Sequence, residues 1–207
     1  MGYFAALAVL VGIGCGGYPH EGPDTPVLAY AILLFGAGIA LGRQRPGGAG
    51  TGGVPPQRCL FNASLGIIAA LHFALPRCAA AGFGVIGGEA LAWTGVGLFA
   101  VGITLRVWAM TVLGRFFSYH LTVQSGHALV RAGPYRFVRH PAYLAFLLSL
   151  AGFGFAFRSV AGIVLPLAWF PVVVWTIRHE ESVLAGSFGA AFEEYRRGTK
   201  GLVPFVW

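Results

Sequence analysis

Residues 141–181 read PAYLAFLLSLAGFGFAFRSVAGIVLPLAWFPVVVWTIRHEE. Pro141–Phe157 and Val160–Ile177 are two apolar runs, parted only by Arg158 and Ser159. A run of this length predicts a membrane helix, which needs about 20 apolar residues. Each leg rises about 25–27 Å at 1.5 Å per residue. The pair therefore forms a helical hairpin whose end returns to its starting face. Arg139 and His140 precede the first leg, and Arg178, His179, Glu180 and Glu181 follow the second. The hairpin should bring these two polar groups together.

Working outward, four more apolar runs are found: Tyr3–Tyr18, Thr25–Gly42, Cys59–Leu75 (ended by Pro76 and Arg77) and Ala90–Leu113. A Gly/Pro-rich linker spans 43–58, and its turn chemistry predicts a flexible loop. The predicted fold class is all-α: a polytopic integral membrane protein with six transmembrane helices, or five if the first run is not a span. The spacing of Val183, Leu184, Phe188, Phe192 and Tyr195 adds an amphipathic C-terminal helix. Residues 1–99 form an N-terminal helical part and 100–207 a core, within one structural domain.

Composition agrees. Of 207 residues, 57% are hydrophobic and 10% charged, which excludes a disordered chain and disfavours a water-soluble globule. The formal charge of +7 is spread thinly between apolar runs, so nucleic acid is not expected as a partner. With six spans, the Arg-bearing linker 43–58, the polar stretch 114–140 and the tail share one side, while Glu21 and Asp24 lie on the other. Short Arg-rich loops stay cytoplasmic, so both termini are expected there. Arg77 and Arg158 fall on the outer side, at helix ends from which Arg reaches the interface. Thirteen Arg to one Lys, with abundant Gly and Ala, points to a bacterium and its inner membrane. Cys15, Cys59 and Cys78 show no C-x-x-C pairing, and the six histidines lack metal-ligand spacing, so neither a disulfide framework nor a metal site is expected.

Ionisable groups are costly within a bilayer and must be placed for a reason. Arg139 and His140 stand beside a helix N-terminus opened by Pro141, a favourable place for an anion. The hairpin faces them with adjacent carboxylates. A zwitterionic ligand matches that arrangement. His72 and Arg106, inside predicted spans, are harder to assign to the interface than the remaining histidines and arginines.

Several motifs around the hairpin form a recognisable set: Leu113–Ser118 (LGRFFS), His127–Val138 (HALVRAGPYRFV), Arg139–Tyr143 (RHPAY), Glu180-Glu181 and Phe188–Tyr195 (FGAAFEEY), with Pro204 near the end. Over residues 100–207 the chain resembles the isoprenylcysteine carboxyl methyltransferase family, grouped with the phospholipid methyltransferases. The resemblance implies S-adenosyl-L-methionine as cofactor, methyl transfer at the cytoplasmic face, and a lipophilic substrate entering from the bilayer among membrane lipids, with no obligate protein partner evident. By position it implies a cofactor pocket of Arg139, His140, Tyr143, Glu180 and Glu181, to which Tyr135 is added. Arg106 and Arg115 are candidates for holding an anionic substrate by charge-assisted hydrogen bonds. Ala145 and Phe192 stand where the family often has Gly and Tyr. Two other classes stay open: an NADPH-dependent membrane reductase of the sterol reductase type, and a non-enzymatic membrane protein.

Overall fold

The computed structural model describes residues 25–42, 55–116 and 129–202. The expected first span, His120, His127 and Pro204 lie outside these residues. Six α-helices occur among the described residues: α1 (Thr25–Gly42), α2 (Pro55–Ala80), α3 (Glu89–Leu113), α4 (Pro141–Ala156), α5 (Ala161–Phe188) and α6 (Ala190–Gly198). Short 3-10 turns cover Gly114–Phe116 and Gly133–Arg136.

α1, α3, α4 and the first part of α5 coincide with the apolar runs. The chain is an integral membrane protein. α3 and α5 are each long and apolar enough to cross a bilayer, and α1, α4 and the Gly66–Ala80 part of α2 are shorter apolar helices. Exposed Trp93, Val101, Trp108, Val164 and Leu167 fit a surface solvated by lipid.

Three boundaries differ from expectation. Helix α2 begins at Pro55, inside the expected 43–58 linker; proline is well tolerated in a first turn, where N–H groups have no helical partner anyway. It also runs through Pro76 to Ala80. A proline removes one backbone bond, and membrane helices tolerate this when neighbours satisfy the freed carbonyl. Helix α5 continues past Ile177 to Phe188, so the amphipathic tail is split between its end and α6. The split falls at Gly189, whose φ of 51° lies in the left-handed region open to glycine. Apolar character in α5 ends at Ile177, leaving residues 178–188 as a polar extension beyond the membrane-crossing part.

α3 and α4 pack through small residues, as membrane helices do when backbones approach closely. A Cβ at Gly102 would lie 2.5 Å from Ser149 Oγ and 2.8 Å from Ala145 O. One at Gly152 would lie 2.7 Å from Gly95 O and 2.8 Å from Phe99 Cα. Beside this seam a core of Tyr30, Leu34, Leu75, Phe99, Phe153 and Phe157 joins α1, α2, α3 and α4.

His72 belongs to that core. Its Nδ1–H donates to Ile68 O at 2.7 Å, so Nε2 accepts from the Tyr30 hydroxyl at 2.9 Å. The ring stacks on Phe153 with centroids 4.1 Å apart. Both ring nitrogens are satisfied, and His72 is a structural histidine linking α1, α2 and α4.

Candidate active site

The site forms where α4 begins and α5 leaves its apolar part. Pro141 opens α4, and His140 is its N-cap residue. The returning leg delivers two carboxylates to it. Arg139 Nε donates to Glu181 Oε1 at 2.8 Å. His140 Nε2 lies 3.1 Å from the same oxygen, and His140 Nδ1 lies 3.7 Å from Glu180 Oε2. Arg196 of α6 approaches the other oxygen of Glu181 at 3.7 Å. The expected meeting of Arg139 and His140 with Glu180 and Glu181 is thus observed. Arg178 and His179 are placed differently: Arg178 is exposed, and His179 stacks on Trp175.

The side chain of Arg139 does more than face an acid. Its Nη1 donates to Arg196 O at 3.0 Å and to Thr199 O, closing the C-terminal end of α6. The chain after α6 then runs beside residues 138–140. Arg139 N donates to Lys200 O at 2.8 Å and His140 N to Gly201 O at 3.0 Å. Val138 and Lys200 form a parallel bridge. Leu202 is fully buried with Val173 and Ile177, against Tyr143, Leu144, Phe146 and Leu147. Residues 199–202 form a strap that fixes the backbone of the Arg-His segment. Sequence reading missed this strap, because an isolated backbone pairing leaves no periodic signal.

On the other side stand Tyr135, Tyr143 and Arg106. The Tyr195 hydroxyl of α6 donates to Tyr135 O at 2.7 Å, anchoring the 3-10 turn. Arg106 Nη1 donates to Ala142 O at 3.4 Å. Arg106 and Glu180 both act electrostatically on the hydroxyls of Tyr135 and Tyr143. Burial and the negative charge of Glu180 push the Tyr135 phenol well above its ordinary value, and burial pushes that of Tyr195 up to about 12. Both remain hydroxyl donors at neutral pH. Among the candidates, the described side chains of Arg106, Tyr135, Arg139, His140, Tyr143, Glu180 and Glu181 converge. The side chain of Arg115 lies outside the described residues, although its backbone forms part of the turn after α3.

Burial raises the pKa of Glu181, but the hydrogen bonds from His140 and Arg139 and their charges outweigh it and hold the carboxyl at about 2. The folded state therefore favours the ionised form. Its stabilisation is fully present above the ordinary value of 4.5 and is lost as pH falls towards about 2. The melting temperature in detergent is expected to fall over that window, and to fall less steeply in Glu181→Gln. Parallel curves for the two proteins would contradict the assignment.

With this geometry in place, the chain can be compared with known proteins. Residues 95–186, which include α3, the Arg-His segment, the hairpin and both glutamates, match the isoprenylcysteine carboxyl methyltransferase (ICMT) family. Over this segment the chain is similar to that family. It is 33% identical over 119 residues to protein-S-isoprenylcysteine O-methyltransferase A of Arabidopsis thaliana, covering 54% of this chain and 58% of that one. It is 30% identical over 118 residues to the Schizosaccharomyces pombe protein-S-isoprenylcysteine O-methyltransferase, covering 54% and 48%. A 36% match over 116 residues links it to the cobalt-zinc-cadmium resistance protein CzcN of Cupriavidus metallidurans, covering 55% and 48%. The chain thus spans about half the length of these curated relatives. The fold resembles the solved eukaryotic intramembrane Ras methyltransferase ICMT, with a TM-score of 0.61 and 20% identity, over 97% of this chain and 74% of that one. The matched segment ends at residue 186, before α6.

Proposed function

We propose that this chain is an S-adenosyl-L-methionine-dependent methyltransferase, acting at the cytoplasmic face of a bacterial inner membrane on a lipophilic acceptor. An isoprenylcysteine-type carboxylate is the acceptor class favoured by the named relatives. The observation that carries the reading is the convergence of Arg106, Tyr135, His140, Tyr143 and Glu180 at one end of the hairpin, inside the segment that matches the family.

These residues fit the cofactor. A carboxylate oxygen of Glu180 is enclosed without a hydrogen-bond donor, which a bound hydroxyl or ammonium would supply. His140, Tyr135 and Tyr143 add hydrogen-bonding groups for a polar, zwitterionic molecule. When bound, S-adenosyl-L-methionine supplies a methyl group on a sulfonium, an activated leaving group displaced in line.

The protein's part is positioning. Holding reactants in near-attack geometry is worth about 7–11 kcal/mol of a barrier. A carboxylate acceptor is ionised at neutral pH and requires no general base. Arg106 reaches Ala142 O at the start of α4 and stands where it can pair with such a carboxylate. The lipid part of the acceptor stays in the apolar phase.

Calorimetry of the purified protein tests the reading. Binding of S-adenosyl-L-methionine and of its demethylated product supports it; retention of NADPH instead would overturn it in favour of a reductase. Arg106→Ala is expected to lower turnover about 100-fold or more, since it removes a charge-assisted bond to the reacting carboxylate, while cofactor affinity changes less. Turnover at the wild-type level would return Arg106 to a purely structural role.

A further inference from the structure

The surface around the open end of the hairpin is cationic. Residues 131–140 and 178–200 hold seven Arg and Lys against four Glu. The four carboxylates are taken up within the protein: Glu180 stands beside His140, Glu181 pairs with Arg139 and Arg196, Glu193 with Arg196, and Glu194 with Arg131. Among the described residues, Arg136, Arg178, Arg197 and Lys200 form no ion pair with a carboxylate, and all four are exposed. Two of them stand beside exposed aromatic rings. On the turn before α4, Phe137 is 58% exposed, although Tyr135 and Val138 are buried. The Arg136 guanidinium lies 5.9 Å from the centroid of its ring. The turn fixes this presentation, since Phe137 N and Val138 N both donate to Pro134 O, at 3.1 Å and 3.2 Å. On α5, Trp175 is 47% exposed and stacks on His179. Arg178 follows three residues on, a neighbour on the same helix face.

Both pairs lie at one depth. Tyr143 and Leu144, in the first turn of α4, pack against the group of Val173 and Ile177, where the apolar part of α5 ends. That depth is the boundary of the bilayer. A single exposed phenylalanine is ordinary on a water-facing surface. An aromatic ring beside a cation without a carboxylate, repeated on both legs at this boundary, fits a headgroup layer. Aromatic rings are enriched there, and Arg and Lys near the surface attract anionic lipid. We propose that Arg136, Phe137, Trp175 and Arg178, flanked by Arg197 and Lys200, form a docking rim for the anionic phospholipid of this leaflet. The guanidinium groups donate to headgroup phosphates, and the rings sit among the upper parts of the acyl chains. Phe137 is two residues from Arg139, so the leaflet holds the turn that leads into the candidate site. The rim stands whether or not the chain transfers methyl groups.

The test follows the melting temperature of the full chain in an uncharged detergent while dihexanoyl phosphatidylglycerol is added. The melting temperature should rise with this lipid and rise less with dihexanoyl phosphatidylcholine, and high salt should shrink the difference. The double variant Arg136→Gln with Arg178→Gln should melt like the wild type without lipid, because both side chains are exposed. Its apparent affinity for the phosphatidylglycerol should fall about fivefold for each cation removed from an anionic surface, hence about 25-fold for the two. Arg136→Lys with Arg178→Lys keeps the charge and should recover most of that affinity, which separates lost charge from misfolding. Phe137→Ser should weaken both lipids. An equal response to the two lipids, or a full response in the Gln double variant, would overturn the rim. Glycerol phosphate stabilising as well as the lipid would show a site for free phosphate instead. Polyglutamate doing so would show a surface for an acidic polypeptide. Either result would overturn the assignment to lipid.

Discussion

Gly152→Leu is expected to prevent the protein from folding. A Cβ alone at this position would meet the backbone of Phe99 and lie 2.7 Å from Gly95 O. Those atoms belong to the facing helix and cannot rotate away as a side chain can. Ordinary overpacking of a core costs about 1–3 kcal/mol, where neighbouring side chains can still adjust. Here relief requires α3 and α4 to separate, and this seam carries both Arg106 and the start of α4. The expected result is loss of the monodisperse peak in detergent size-exclusion chromatography. Gly97→Leu is the control. It lies on the same α3, its Cβ would meet nothing within 4 Å, and the variant should elute normally. Equal behaviour of the two variants would show that close backbone approach does not hold this pair together.

His140→Ala is expected to reduce affinity for S-adenosyl-L-methionine about 100-fold or more while the helical circular dichroism is kept. His140 is 4% exposed and stands between the two glutamates. Its removal leaves a buried cavity and two neighbouring carboxylates without the imidazole between them. The bound cofactor would lose a hydrogen-bonding group from the pocket wall, while Glu181 keeps its bond from Arg139. The backbone should survive, since the strap holds His140 by its main-chain N–H to Gly201 O and not by its ring. Calorimetry and circular dichroism on one preparation check both halves. Unchanged affinity would remove His140 from the pocket. Loss of helix would make its role structural.

Much of the architecture was legible in the residues. Apolar runs of membrane length announce helices because hydrocarbon forces the backbone to satisfy its own hydrogen bonds. The nearly equal legs of the hairpin then required Glu180 and Glu181 to return to Arg139 and His140, a conclusion that needed only the rise per residue. The sequence does not decide whether Arg106 meets this end, since an arginine two turns from a helix end can snorkel or turn inward. Its bond to Ala142 O depends on how α3 docks on α4, 36 residues away in sequence.

The sequence by itself determined the helical membrane fold, the hairpin and the residues that could meet at its open end. Tertiary structure alone decided how those residues share the work. The strap at 199–202, the closure of α6 by Arg139 and the unequal partners of Glu180 and Glu181 all arise from contacts made across about 40–60 positions. Periodicity reports the environment along one helix, because each side chain is sorted there by water or lipid. It carries no record of which backbone carbonyl a distant guanidinium will find. Two glutamates side by side read alike in sequence, and differ here because helical geometry turns each through about 100° relative to the next, towards different neighbours.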